Sequence, residues 1–339
     1  MFITPSQAEV LLLDTMKAGL VPNLLGSPGV GKSDIVRKIA EKLNVKVIDF
    51  RLSQADPTEL NGFPTLDKVN NRAHYAPPIA FPLEGDPIPD GYKGWLLFFD
   101  EINTAAQLIQ AASYKILLDR MVGEHKLHPK LIMACAGNLS TDKAIVNRLS
   151  TAMQSRLIHF NLEVNLEDWL TWAYANGVDS RVITFVQFRP ELLHKFDPSH
   201  SDHTFPCPRT WVFLSRMIRN WTEIGEDKTA LLTGTIGEGA GLEFQGYLDI
   251  FGSLPTIGKI IQSPKTTEVS NRPDVLWAIG GLIVEHVDKD NIKPLMEYID
   301  RMPAEFQVIT IKNMLRKDRN LYDTKTLSEW IKNNSQALL

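Results

Sequence analysis

Cysteine is almost missing: the 339 residues hold two, Cys135 and Cys207. Neither sits in a Cys-x-x-Cys pair, and two thiols build no disulfide framework. A reducing compartment, the cytoplasm, is therefore expected. Long apolar runs are missing too. No stretch reaches the roughly 18 continuous apolar residues of a membrane helix, so no spanning segment is expected. The opening residues, MFITPSQAEV, show no basic start leading into an apolar run, and no secretory leader is expected. Positive charge is not in excess either. Lys and Arg number 36 against 40 Asp and Glu, for a net charge of −4 and a pI near 6.1. A dedicated nucleic-acid binder carries a basic surplus, so only a local basic patch stays open. No internal repeat or low-complexity tract interrupts the chain.

What is there is ordinary globular composition, 44% hydrophobic and 22% charged, at a length that suits two domains or slightly more. Periodicity predicts a helix over 7–19, with Ala8, Leu11, Leu12 and Met16 on one face. A buried strand is expected at Val21–Leu25 with Pro22 at its start, then a helix over Lys32–Leu43 and a strand over Val45–Phe50. Residues 51–93 are rich in Pro, Gly, Asn and Asp and read as loops with short insertions. Strands follow at Trp95–Phe99, Leu131–Cys135 and Leu157–Leu162, with helices over Asn103–Asp119 and Asp142–Met153. Apolar strands alternating with helices indicate a parallel sheet covered on both faces. The fold expected is α/β, a five-stranded parallel sheet between helices. After about residue 163 helical periodicity takes over, in 165–176, 179–188, 209–224, 228–248, 273–286, 291–300, 303–316 and 325–336.

Two motifs carry chemistry. Gly26-Ser27-Pro28-Gly29-Val30-Gly31-Lys32-Ser33 fits G-x-x-x-x-G-K-[ST], with Asp34 next in the first helical turn. Glycines let the backbone wrap a phosphate, its N–H groups converge on the oxygens, and the helix that begins there adds its positive end. Lys32 suits the β and γ phosphates of a nucleoside triphosphate, with ATP and GTP both open at this point, and the Ser33 hydroxyl suits Mg²⁺. The second motif, Leu96-Leu97-Phe98-Phe99-Asp100-Glu101, is an apolar strand that delivers two carboxylates at its C-terminal end, the ligand edge of such sheets. Asp100 is expected to hold the metal and Glu101 to act as general base toward water.

With these motifs, GSPGVGKS, LLFFDEIN and ACAGN, the chain resembles the AAA+ ATPases, and within them the MoxR and dynein-related group, where the acidic pair is followed by Ile-Asn as in Ile102-Asn103. The resemblance is specific over about 7–165 and weaker to about 260. It implies an ATP-hydrolysing P-loop domain over 1–163, a helical lid over 164–264, and leaves 265–339 as a helical extension without a match. It assigns sensor 1 to Asn138, the arginine finger to Arg156 with Arg148 as rival on a helix face, and sensor 2 to Arg209. It puts an insertion facing the ring axis in the stretch from Asn61 to Pro78, a hairpin at Met121–Pro129, and a base pocket near Ile3, Thr4 and the lid. It further implies a homo-hexameric ring, since a finger in trans demands head-to-tail contacts that close. A client protein and a partner with a von Willebrand A domain are implied by resemblance alone. The hydrophobic loop of protein-threading unfoldases is not evident. A nucleic-acid motor and a nucleotide-gated scaffold with little turnover are the alternative functions.

Other features are expected to be plainer. His194, His200 and His203 near Asp197 and Asp202 lack a firm zinc spacing. Lys115, Arg120, Lys126 and Lys130 with His125 and His128 form a basic cluster, read mainly as a solvated helix face and hairpin. Trp169, Trp172, Trp211 and Trp221 read as helix core positions.

Overall fold

The computed structural model describes all residues except 70, 143–146, 200–201, 222–227 and 335–339. The chain forms two compact units, Met1–Asn165 with Asp197–Ser199, and Leu166–Phe196 with His200–Leu339.

The first unit is built on β1 (Phe2–Ile3), β2 (Val21–Leu25), β3 (Lys46–Arg51), β6 (Trp95–Asp100), β9 (Leu131–Gly137) and β10 (Leu157–Leu162). They pair in the order β1-β10-β2-β9-β6-β3, all parallel. The sheet thus has the five expected strands plus a two-residue edge strand that the sequence pattern is too short to announce. Strand β6 is buried on both faces: Leu97 and Phe99 enter one apolar cluster, Leu96 and Phe98 the other. Each such side chain contributes roughly 1.5–3 kcal/mol by leaving water. Pro22 sits second in β2, opposite Ile158 of β10, and pairing to β9 starts only at Asn23, so its missing N–H costs that second ladder nothing.

The sheet is flanked by α1 (Pro5–Lys17) and α2 (Lys32–Leu43). Helix α1 starts at a capping box in which Thr4 and Gln7 satisfy each other's backbone N–H. The segment 51–93 is more ordered than its composition suggests. It holds α3 (Pro57–Asn61), capped by Asp56, and an antiparallel hairpin of β4 (Phe63–Asp67) and β5 (Arg72–Ala76). Gly62 admits this hairpin: at φ 93° a Cβ there would lie 2.3 Å from the Ala76 carbonyl oxygen. A second, shorter hairpin pairs β7 (Met121–Val122) with β8 (His125–Lys126).

Two helices differ from expectation. Over 103–119 only α4 (Gln107–Tyr114) is α-helical, and Lys115–Asp119 continues as a π-turn. Over 142–153 the described residues form the end of a 3-10 turn (Ser140–Asp142) and the short helix α5 (Thr151–Gln154), with residues 143–146 outside the described ones. Asn147 is drawn out of any helix by its bonds to the 103–105 turn: its N–H donates to the Asn103 carbonyl and its side-chain amide to that of Ala105. Arg148 therefore lies on no helix.

The second unit is helical: α6 (Leu166–Ala175), α7 (Ser180–Phe188), α8 (Pro208–Ile218), α9 (Thr229–Ile236), α10 (Glu238–Ser253), α11 (Ile257–Gln262), α12 (Pro273–His286), α13 (Ile292–Ile299), α14 (Ala304–Lys317) and α15 (Lys325–Asn333). The helix read over 228–248 breaks at Gly237, whose φ of 86° suits glycine, and α11 was not foreseen. The ends read at 222–224 and 335–336 lie outside the described residues. Residues 166–262 and 265–339 share this unit, since α12 packs on α7 and α14. Trp211 is fully buried among Phe185 and Phe244, whereas Trp221 lies past the end of α8 beneath Lys228. His200 lies outside the described residues. Among the described residues no three His, Cys, Asp or Glu side chains are placed to share a metal, and no helix is long and apolar enough to cross a membrane.

Candidate active site

The C-terminal ends of β2, β6 and β9 lie side by side, and each is followed by a functional turn. After β2 the chain enters the loop from Gly26 to Gly31. Gly29 and Gly31 have φ of 78° and 96°, conformations that fold the loop back on itself and that a side chain resists. Gly31 is also the N-cap of α2, and no side chain caps that helix. Its first N–H groups therefore remain available, with the positive helix end behind them, for an anion. The Gly26 N–H is tied to the Gly137 carbonyl at the end of β9 (3.2 Å).

Lys32 Nζ lies inside this loop. It donates to the carbonyls of Gly26 (2.5 Å) and Ser27 (3.0 Å) and to Asn138 Oδ1 (3.4 Å). The Ser33 hydroxyl donates to Asp100 Oδ2 at 2.9 Å. One hydroxyl and one carboxylate in contact at the head of a phosphate loop are the donor set that a hard cation such as Mg²⁺ takes, leaving most of its shell to water and phosphate. The residues present fit a magnesium-bound nucleoside triphosphate. Val30 is buried beneath the loop, while Ser27 and Pro28 are half-exposed along it. Asp34 is exposed and its side chain pairs with Arg37 (3.6 Å) rather than with the loop.

Glu101 follows Asp100 with φ 58°, a left-handed conformation uncommon for glutamate. Its N–H donates to Asp100 Oδ1 (2.8 Å). Its carboxylate accepts a hydrogen bond from the Ser53 hydroxyl, which lies on a short turn just after β3. Asn138 begins the turn after β9 and is half-buried. Its side-chain amide contacts Lys32 and, at 3.4 Å, Thr104 Oγ1. The Asn103 side chain grips the Asn138 backbone through two bonds, of 2.7 and 3.0 Å. The structure thus brings together Lys32, Ser33, Asp100, Glu101 and Asn138. It adds Ser53, Asn103 and Thr104. Ser53 had no sequence signal, hidden in the Pro- and Gly-rich segment; Asn103 stood in the quoted motif without a role.

Arg156 stands elsewhere. It precedes Leu157, which pairs with Val21 at the start of β2. The phosphate loop leaves the other end of β2, about 16 Å away at 3.3 Å per residue. Arg156 is exposed and donates to the Ala152 carbonyl (3.2 Å). Arg209 lies in the helical unit, exposed on the first turn of α8 after Pro208.

The basic cluster is partly used internally. Lys115 donates to the Gly123 carbonyl (2.5 Å), and Arg120 to those of His128 (3.2 Å) and Leu131 (2.6 Å). The β4–β5 hairpin, by contrast, is apolar and open. Phe63 is 68% and Tyr75 47% exposed, with Leu66 and Val69 also outward. Exposed apolar side chains are therefore present along this hairpin.

Residues 23–157 match the AAA domain of the dynein-related subfamily. No curated protein matches the chain in sequence. Solved structures similar to it include two variants of the Thermotoga maritima RuvB protein, at 16% and 15% identity, each over 76% of this chain and 74% of the other, with TM-scores of 0.39. A candidate ATPase of Cytophaga hutchinsonii is similar at 12% identity over 94% of this chain and 80% of that one, with a TM-score of 0.36.

Proposed function

We propose, from the match of residues 23–157 to the AAA domain of the dynein-related subfamily, that the chain is an ATPase that works as a ring-forming motor and remodels a partner protein. The observation that carries this reading is the meeting of Lys32, Ser33, Asp100, Glu101 and Asn138 at one sheet edge. Bound Mg²⁺ supplies a positive charge that draws electrons from the γ-phosphate. Ser33 Oγ and Asp100 hold that ion and its waters. The N–H groups of the loop and Lys32 hold the phosphate oxygens. Glu101 takes a proton from the attacking water, and the Asn138 amide orients the water against the phosphate.

Arg156 is at the wrong end of β2 to serve its own loop. That supports a finger delivered to the neighbouring subunit's nucleotide, where it offsets transition-state charge. A site completed in trans requires a closed head-to-tail ring, and a homo-hexamer is our reading. Arg209 on α8 acts as a second sensor from the helical lid. The two cysteines are free and buried, which suits a reducing cytoplasm. The open Phe63–Tyr75 hairpin is the client contact, because exposed apolar side chains on a projecting ribbon cost solvation unless something covers them. A nucleic-acid motor is less supported, since Lys115 and Arg120 are engaged by backbone carbonyls of their own chain and the net charge is −4.

The test is ATPase rate against protein concentration for the wild type and Arg156→Ala, with mass photometry on the same samples. Activity that rises with assembly, and an Arg156→Ala ring that assembles without turnover, support the motor. Activity independent of concentration, or a fully active Arg156→Ala, removes the ring mechanism. Separately, Phe63→Ser with Tyr75→Ser should keep basal turnover and abolish client remodelling.

A further inference from the structure

The ladder between β6 and β9 ends at the pair Phe99 and Cys135. One step on, the Ile102 N–H still reaches the Ala136 carbonyl (3.0 Å). Beyond that the Asn103 side chain continues the pairing. Its Nδ2 donates to the Asn138 carbonyl (2.7 Å), and its Oδ1 accepts the Asn138 N–H (3.0 Å). A side-chain amide here reproduces the two bonds that a neighbouring strand's backbone makes. Asn103 is 6% exposed, and Gly137 leaves it room: a Cβ on Gly137 would lie 2.4 Å from Asn103 Oδ1. The Asn103 carbonyl in turn accepts the Asn147 N–H (2.6 Å). Asn103 therefore joins the turn that carries Glu101 to the residue that carries the Asn138 amide.

We infer that Asn103 is a positioning residue for hydrolysis, setting the separation between the Glu101 carboxylate and the Asn138 amide without touching substrate. This rests on the reading above, in which those two groups act on the attacking water. Water held between two groups is sensitive to their spacing, and a misplacement of about 1 Å costs on the order of a hundredfold in rate. The clamp needs a donor at one terminus and an acceptor at the other. Asn103→Asp keeps the shape but, when ionised, sets a carboxylate oxygen against the Asn138 carbonyl. When protonated, the acid regains an O–H donor in the same place.

The experiment measures kcat for wild type, Asn103→Asp and Asn103→Ala across pH 6–8, with fluorescent-ADP affinity and thermal unfolding in the same buffers. At pH 8, Asn103→Asp should lose about a hundredfold in kcat while nucleotide affinity and unfolding midpoint stay near wild type. Its rate relative to wild type should recover about tenfold or more toward pH 6, and Asn103→Ala should show no such recovery. An Asn103→Asp rate within about twofold of wild type at pH 8, a loss that does not ease at pH 6, or a chain unfolded at both pH values overturns the inference alone. Glu101→Gln is the control: if it hydrolyses ATP normally, the reading beneath falls and this inference with it.

Discussion

The Ser53 hydroxyl donates a hydrogen bond to the Glu101 carboxylate. The two residues are 48 positions apart and meet because β3 and β6 run parallel in register, Arg51 beside Asp100. The carboxylate expected to accept a proton from water thus already accepts one hydrogen bond from the protein.

Releasing that bond frees the base. Ser53→Ala should raise basal ATP turnover severalfold, with nucleotide affinity unchanged, because a charge-assisted bond no longer competes for the carboxylate. Steady-state ATPase assay without client checks this. A lower rate would instead make Ser53 a residue that aims Glu101.

Mixed rings test whether the site is completed in trans, as proposed. Arg156→Ala and Glu101→Gln should each lose about a hundredfold or more in turnover. Mixing the two should restore part of it, because some interfaces pair an intact Glu101 with an intact Arg156. Titration of one variant into the other reads this directly, and the absence of any recovery would put both residues in one subunit's site.

Arg120 holds the small hairpin to β9 through the carbonyls of His128 and Leu131, and burial pushes its guanidinium below the usual arginine range. Arg120→Ala should lower unfolding stability by roughly 1–3 kcal/mol, the cost of orphaning partly buried carbonyls. Denaturant unfolding measures it.

A surface clamp should show in acid. Burial pushes the Glu9 carboxyl up, but Lys38 and Lys42 outweigh it and hold the group below the ordinary glutamate range. A depressed folded value adds stability above the unfolded pKa and loses it as pH falls through the folded one. Glu9→Gln should therefore melt lower than wild type at pH 7, and the gap should close below about pH 4. Thermal unfolding at both pH values decides it.

Much of the sheet was legible because its signals are local. Trp95–Asp100 is an apolar run ending in charge, and the phosphate loop is eight contiguous residues whose glycines need no partner to be recognised. Helix ends were read less well. The stretch 142–153 has helical spacing, yet Asn147 bonds to a distant turn and takes the backbone out of helix. The segment 51–93 looked irregular because Pro and Asn interrupt its hairpin and both strands are largely exposed, so no hydrophobic alternation marks it.

The sequence by itself determined that this chain carries a phosphate loop, an acidic strand end and a helical second half, because each is specified by neighbours along the chain. Only the tertiary structure decided which groups hold them. Ser53 on Glu101 and Asn103 on Asn138 span 48 and 35 residues, and such meetings follow from strand order and register. The same holds for Arg156, whose distance from its own phosphate loop is set by the direction of β10 beside β2. Spacing along a chain does not encode these relations, since they exist only once parallel strands have paired.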